Sequence, residues 1–457
     1  MPINNITSSI ISTLGNKESL VPIMIKDGVD SGSLTYHSYK AGGAIEGKDR
    51  AIDEFGTQAI WIGGIPFYKK MIDTTIYKKE NIHPGVDIRV VENPEYAKWA
   101  KDNAKGKMPD DGFLKKLKFL QPKEQTVKSA MNKALEDGGN KVDYLYKTKV
   151  VAATALTLGS FFALTMMKQK NTKDNVIYEI NSEKQSKKVS FSSIKTENNP
   201  LFTDIADFSK KSNNKPSFKG LNDVTNSILF NPVSNMQVID AGITTARLGC
   251  SRNTTEFMEH AIKEGGFLFF LYKFGKIVEN KINQYSSDKL GIPIDTEIDV
   301  ITDENLKKAL DNKNISSDVD KLPKNGTLTE KLNFIIKNPD NILVQAAKKS
   351  KIVSETVDNK GKSVVDTSKF IDMENIDNLA QNLKTIEDKF TKSGISSEKF
   401  VKNMKYMKIA SVGANIVTSC AFLGYLIPKA VYKYREFKTG TTGFHVTNDI
   451  KKKQNAA

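Results

Sequence analysis

VVAATALTLGSFFALTMM, residues 150–167, contains no charged side chain and no proline. Lys147 and Lys149 precede it, and Lys168 and Lys170 follow. An unbroken apolar run of this length lies at the short end of what crosses a hydrocarbon layer of roughly 30 Å. Flanking lysines extend its reach, because their stems lie along the apolar zone while the ammonium stays wet. The competing reading is a core helix of a soluble domain. Such a helix usually turns one polar face to water, and this run has no charged one.

A second run, IASVGANIVTSCAFLGYLIP at 409–428, has the same character. Lys402, Lys405 and Lys408 precede it, and Lys429, Lys433 and Arg435 follow, with Tyr425, Tyr432 and Tyr434 at interfacial depth. Asn415 lies inside the run and needs a partner within a bundle. Ala410, Ala414 and Thr418 make a line of small residues along which another helix can approach closely.

The expected fold is mainly α: multi-segment membrane helices, a small soluble helical domain, and a minor β-hairpin in the connecting loop. The first basic residue is Lys17, and no charged leader precedes an apolar stretch. Insertion through internal helices, without a cleaved signal peptide, is therefore expected. Basic residues flank the two spans equally on the terminal and loop sides, so the sequence gives no orientation.

Around these spans the chain divides by composition. A polar segment covers 1–50. Residues 51–149 hold an apolar stretch at 55–68, broken by Gly63, Gly64 and Pro66, then a basic amphipathic helix at 112–120. The short apolar stretch suggests a re-entrant or interfacial segment. The first span, 150–167, is followed by a polar linker at 168–231, where alternation at Val176, Tyr178, Ile180, Val189 and Phe191 suggests a hairpin. Residues 232–282 form a second semi-apolar region, read as membrane-peripheral. A capping box at Asn253 and Glu256 opens a helix at Thr254, with Gly265 and Gly266 able to end or kink it. Residues 283–396 read as a soluble helical domain. Thr302 and Thr329 are expected caps, Pro339 an expected N1 residue, and 373–390 the clearest amphipathic helix. A long helix at 397–438 contains the second span, and 439–457 is a basic tail.

The charge of +15 comes from lysine, since only five of the 68 basic residues are arginine. Base-reading proteins lean on the planar guanidinium, so nucleic acid is a poor fit. Scattered lysine beside apolar helices suits the bilayer and its anionic headgroups.

Catalytic chemistry finds no foothold. The four histidines, His37, His83, His260 and His445, have no metal-ligand spacing, and Cys250 and Cys420 stand far apart. His260 reads as structural. Phosphate-loop, dinucleotide and nucleophile-elbow signatures are absent. The acidic stretch from Asp295 to Glu304 lacks the glycine and ligand order of a calcium loop. No cofactor or metal is expected. Asp240, Arg247 and Glu264 are the candidate polar pathway or ion pair, because charges in a semi-apolar region must face protein or a wet cavity. One echo is visible: Ala51-Ile-Asp-Glu-Phe-Gly and Ala261-Ile-Lys-Glu-Gly-Gly share four positions, too few alone to establish a repeat.

Three functions fit these features. A membrane-anchored scaffold would use 283–396 to hold a protein partner. A transporter or channel subunit would need the two semi-apolar regions to complete a bundle around charges. A soluble basic protein with an acidic partner would need both uncharged runs to be core helices. The sequence favours the scaffold, because clean spans are few and catalytic motifs are missing.

Overall fold

The computed structural model describes residues 13–15, 19–108, 125–186 and 232–443. The chain is mainly helical, and among the described residues its only sheet has two strands. In order, the elements are α1 (Val21–Ala59), α2 (Ile65–Ile72), α3 (Ile88–Glu92), α4 (Pro94–Asp102), α5 (Val127–Ala134) and α6 (Asn140–Ser186). Then come α7 (Pro232–Gly249), α8 (Thr254–Phe269), α9 (Gly275–Lys289), α10 (Ile298–Ile301), α11 (Glu304–Asn312) and α12 (Ile315–Val319). The last are α13 (Leu328–Lys337), α14 (Ile342–Lys349), β1 (Glu355–Val357), β2 (Ser363–Val365), α15 (Met373–Ser393), α16 (Ser397–Ala421) and α17 (Ile427–Thr439). Wider π-helical turns join α1 to α2 at Ile60–Gly64, α8 to α9 at Phe270–Phe274, and α16 to α17 at Phe422–Leu426.

Two helical stretches are long and apolar enough to cross a membrane, Asn140–Tyr178 and Ser397–Thr439. Only 28% and 22% of their most apolar windows are buried. A core helix of a globular domain would be buried for most of its length.

The chain forms two compact units. The first comprises the described residues within Met1–Lys26, Trp61–Thr157 and Phe269–Ala421, and the second those within Asp27–Ile60, Leu158–Leu268 and Phe422–Ala457.

The first unit has one continuous apolar core. Leu306, Leu310, Leu332, Leu343, Leu383 and Phe400 meet Val90, Tyr96, Trp99 and Met131 in it. The segment 283–396 therefore does not make its core alone; residues 72–145 supply part of it. Polar contacts pin the two segments together. The Trp99 indole donates to Asn333 at 3.0 Å, and the Tyr96 hydroxyl accepts from the Ile371 amide at 2.8 Å. Glu95 accepts from the Thr329 amide at 3.0 Å.

Several helix starts fall a little away from their expected places. Asp303 rather than Thr302 caps α11, and Thr327 with Glu330 forms the capping box of α13 in place of Thr329. Asn341 caps α14, so Pro339 precedes that helix instead of opening it. In each case a better-placed side-chain oxygen reaches a free amide of the first turn. The expected helix at 373–390 runs from Met373 to Ser393, capped by Asp372 and ended by left-handed Gly394.

The hairpin is real but lies elsewhere. β1 pairs antiparallel with β2, Glu355 opposite Val365 and Val357 opposite Ser363. Val176 and Tyr178 are helical, in the long extension of α6. Val189, Phe191 and the amphipathic segment 112–120 lie outside the described residues.

In the second unit the chain reverses direction within α1. Gly43 has φ 75° and ψ −164°, a conformation nearly closed to residues with a Cβ. The reversal brings Gly28 against Gln58. The segments 27–42 and 44–59 then pack with α7, α8, α17 and the later part of α6. Small residues set close approaches: a Cβ on Gly56 would strike Leu164, and one on Gly266 would strike Ile427. The expected break at Gly63, Gly64 and Pro66 does not occur. A π-helical turn takes in the glycines, and Pro66 follows it in the first turn of α2, so the helix continues through all three residues. Gly265 and Gly266 likewise lie inside α8.

Candidate functional site

The interior of the second unit is charged. Arg247, on α7, donates from Nη1 to Glu264 Oε1 on α8 at 2.5 Å. Its other arm lies 3.5 Å from Asp53 and 3.6 Å from Glu54, and hydrogen-bonds Thr57 Oγ1 at 3.1 Å. Lys263 Nζ lies 2.7 Å from Glu54 and 3.0 Å from Glu264. Lys168, just past the first apolar run, sits 3.4 Å from Asp53. All of these ionised side chains are buried.

Helical spacing explains the convergence. Glu46, Asp49, Arg50, Asp53 and Thr57 recur every three or four residues, so one face of 44–59 is polar. Glu256, Glu259, His260, Lys263 and Glu264 repeat the pattern on α8. The two polar faces meet the polar side of α7 and, on α17, Tyr432 and Arg435.

A second cluster continues the first. Arg435 forks onto both oxygens of Glu259 at 2.7 Å and donates to Glu46 at 2.7 Å. Tyr432 shares a hydrogen bond with Ser38 at 2.6 Å. Arg252 pairs with Glu256 at 2.5 Å and Asp49 at 3.2 Å, and Thr172 also bonds Asp49. A forked guanidinium holding two carboxylates is rigid, because its donors match the acceptor geometry on both sides.

Of the three expected site residues, Arg247 and Glu264 are in direct contact. Asp240 is buried on the same helix as Arg247. Asp53, Glu54, Lys263, Lys168, Glu46, Glu259 and Arg435 belong to the same interior, and the sequence reading missed them.

Carboxylates outnumber bases here. Nine buried carboxyl groups in this unit (Asp30, Glu46, Asp49, Asp53, Glu54, Asp240, Glu256, Glu259 and Glu264) stand with six lysine and arginine side chains, Arg50, Lys168, Arg247, Arg252, Lys263 and Arg435, and with His260. Both oxygens of Asp30 are buried without a hydrogen-bond partner. Among the described residues, no group of histidine, cysteine and carboxylate side chains has the geometry to hold a metal ion.

The outer surface of the same unit carries large apolar side chains beside exposed charges such as Lys40, Lys48, Lys170 and Lys433. Phe55, Phe162, Met166, Met167, Val238, Phe257 and Leu426 are exposed.

The first unit holds a smaller polar lattice. Asn415, inside the second apolar run, accepts from Lys26 at 2.7 Å and donates to Glu279 at 2.8 Å. Ser411 bonds Asn283 at 2.7 Å, and Lys408 donates to the Ile294 carbonyl at 3.0 Å. Near the other run, Lys149 pairs with Asp73 at 2.9 Å.

Comparison of the chain with protein-family models, curated proteins and solved structures returns no match.

Proposed function

We propose that this is an integral membrane protein whose helical bundle encloses a polar pathway, a transporter or channel subunit. The observation that carries the reading is the inversion of the second unit, with ion pairs inside and large apolar side chains outside. In water, burying so many charges sacrifices hydration for little net gain. In lipid, the polar side has nowhere else to face, and intramembrane charges turn to the bundle interior.

The two long apolar helices support the same placement. Val151, Met166, Met167 and Val417 are each about two-thirds exposed, while Ala153, Phe161 and Val412 are buried. Exposed faces of this kind suit acyl chains, and the exposed Lys170, Lys429 and Lys433 suit anionic headgroups, while Lys149, Lys168 and Lys408 turn inward to protein partners. The soluble-protein alternative needs both helices in a globular core, and their low burial counts against it. A membrane-anchored scaffold needs only the two spans. It gives no reason for ion pairs on the helices of the semi-apolar regions, whereas a pathway does.

Substituted-cysteine labelling tests this. In a chain with Cys250 and Cys420 changed to Ser, cysteines at 240, 247 and 264 should react with a membrane-impermeant thiol reagent in intact membranes. Silence at all three, with an exposed control at Lys360 in the β1–β2 turn reacting, would contradict a water-accessible pathway.

A further inference from the structure

The short sequence echo belongs to a longer repeat. Adding 210 to the residue numbers of the π-helical turn Ile60–Gly64 gives the π-helical turn Phe270–Phe274. The same shift carries α4, Pro94–Asp102, onto α11, Glu304–Asn312, and the start of α3 at Ile88 onto the start of α10 at Ile298. It carries left-handed Asn81 onto left-handed Gly291. It also carries the reversal at Gly43 onto Asn253, immediately before α8 begins. No gap is needed from 22 to 102 against 232 to 312. In this register Asp30, Glu46 and Glu54 fall on Asp240, Glu256 and Glu264, all buried. Gly32, Gly56 and Ile72 fall on Gly242, Gly266 and Ile282.

The charged interior is thus the seam between two copies of one module. Glu54 of the first copy meets Lys263 and Glu264 of the second. Asp53 corresponds to Lys263, and that exchange of sign lets the two equivalent glutamates share one ammonium. Asp30 is the group left over. Its carboxyl is fully buried, makes no hydrogen bond, and feels Lys263, Glu54, Asp27 and Glu264 around it. Its counterpart Asp240 has a partner. An ionised carboxylate held unbonded out of water is costly, and a neutral acid is far less so.

We propose that Asp30, at the seam between the two copies, is the group on which a proton is carried through the bundle. The inference rests on the membrane-pathway reading above. Uptake forms one O–H bond on an Asp30 oxygen and converts a buried anion into a neutral acid. Release breaks that bond and returns the proton to water on the other side. The step needs no oxidant or co-reactant. The carboxyl surplus gives the proton a place to bind, since six lysine and arginine side chains cannot neutralise nine acids, and the proton gradient drives its movement. Repeated modules that meet at a central polar site are a recurrent transporter design.

The test uses the full chain in phosphatidylcholine–phosphatidylglycerol vesicles loaded with a pH-sensitive dye, with the potential clamped by potassium and valinomycin. After an acid jump outside, wild type should acidify the lumen faster than protein-free vesicles. Asp30→Asn should lose at least tenfold of that excess, Asp30→Glu should keep it within threefold, and Glu95→Gln in the first unit should leave it unchanged. Infrared difference spectra should contain a protonated-carboxyl band that vanishes in Asp30→Asn, a signature that merely structural damage would not remove selectively. Wild-type flux in Asp30→Asn, or an unchanged band, would overturn the assignment. If wild type moves no protons while cysteines at 240, 247 and 264 still label, the proton inference falls and the pathway reading stands. If neither occurs, both fall.

Discussion

Lys263 Nζ lies 2.7 Å from Glu54 Oε2, and both side chains are buried on helices far apart in sequence. The pair holds the turn-back of α1 against α8. Replacing the ammonium with an apolar group of similar length leaves Glu54 and Glu264 facing each other with reduced compensation. Removing one partner of a buried ion pair costs about 3–5 kcal/mol. Lys263→Met should therefore lower the thermal midpoint in detergent sharply. Adding Glu54→Gln should recover part of the loss, because the stranded charge is removed too. A double variant no better than the single would refute the coupling.

Arg435 makes a different demand, for shape as well as charge. Its guanidinium engages Glu259 through Nε and Nη2 and Glu46 through the remaining nitrogen, Nη1. Lysine keeps the charge but cannot fork. Arg435→Lys should destabilise by about 1–3 kcal/mol, in the range of hydrogen bonds lost to charged groups. Arg435→Met should cost more. Equal melting of the lysine variant and wild type would mean that only charge matters.

Glu387 tests the first unit independently. From α15 it accepts the Ile315 amide at 3.0 Å and the Ser316 amide at 2.8 Å, closing the start of α12. Glu387→Ala strands both donors and should destabilise the chain by about 1–3 kcal/mol. Amide exchange should speed up at Ile315 and Ser316 first. Unchanged protection there would show that water replaces the carboxylate at no cost.

Val417 is exposed at the middle of the second apolar run. A lysine at a span's centre costs about 3 kcal/mol on insertion scales. Val417→Lys should reduce membrane retention of a 397–437 segment, and Val417→Leu should not. Full retention of the lysine form would remove that helix from the hydrocarbon layer.

The two long apolar helices were legible because an uncharged run of that length is visible in the sequence itself. Arg247 and Glu264 could be singled out because they interrupt a semi-apolar region. The rest of the interior was hidden by an assumption suited to water. Glu46, Asp49, Arg50 and Asp53 form a charged stripe at helical spacing, and in an aqueous setting such a stripe faces out. Here the same stripe faces in. The echo at Ala51 and Ala261 carried the missing signal, but six residues could not establish it. The common positions of the π-helical turns and of α4 and α11 supply the register. Helix starts at Asp303, Thr327 and Asn341 were displaced by one to three residues, since several nearby side chains could cap and only packing chooses among them.

The most direct test of the account is nitroxide scanning of the chain in lipid bilayers, with Cys250 and Cys420 changed to Ser. Labels at Val151, Met166 and Val417 should collide freely with oxygen and hardly at all with a water-soluble nickel chelate, while labels at buried Ala153 and Val412 should be shielded from oxygen. Chelate access at 151, 166 and 417 equal to that at exposed Lys360 in the β1–β2 turn would place these helices in water and contradict the account.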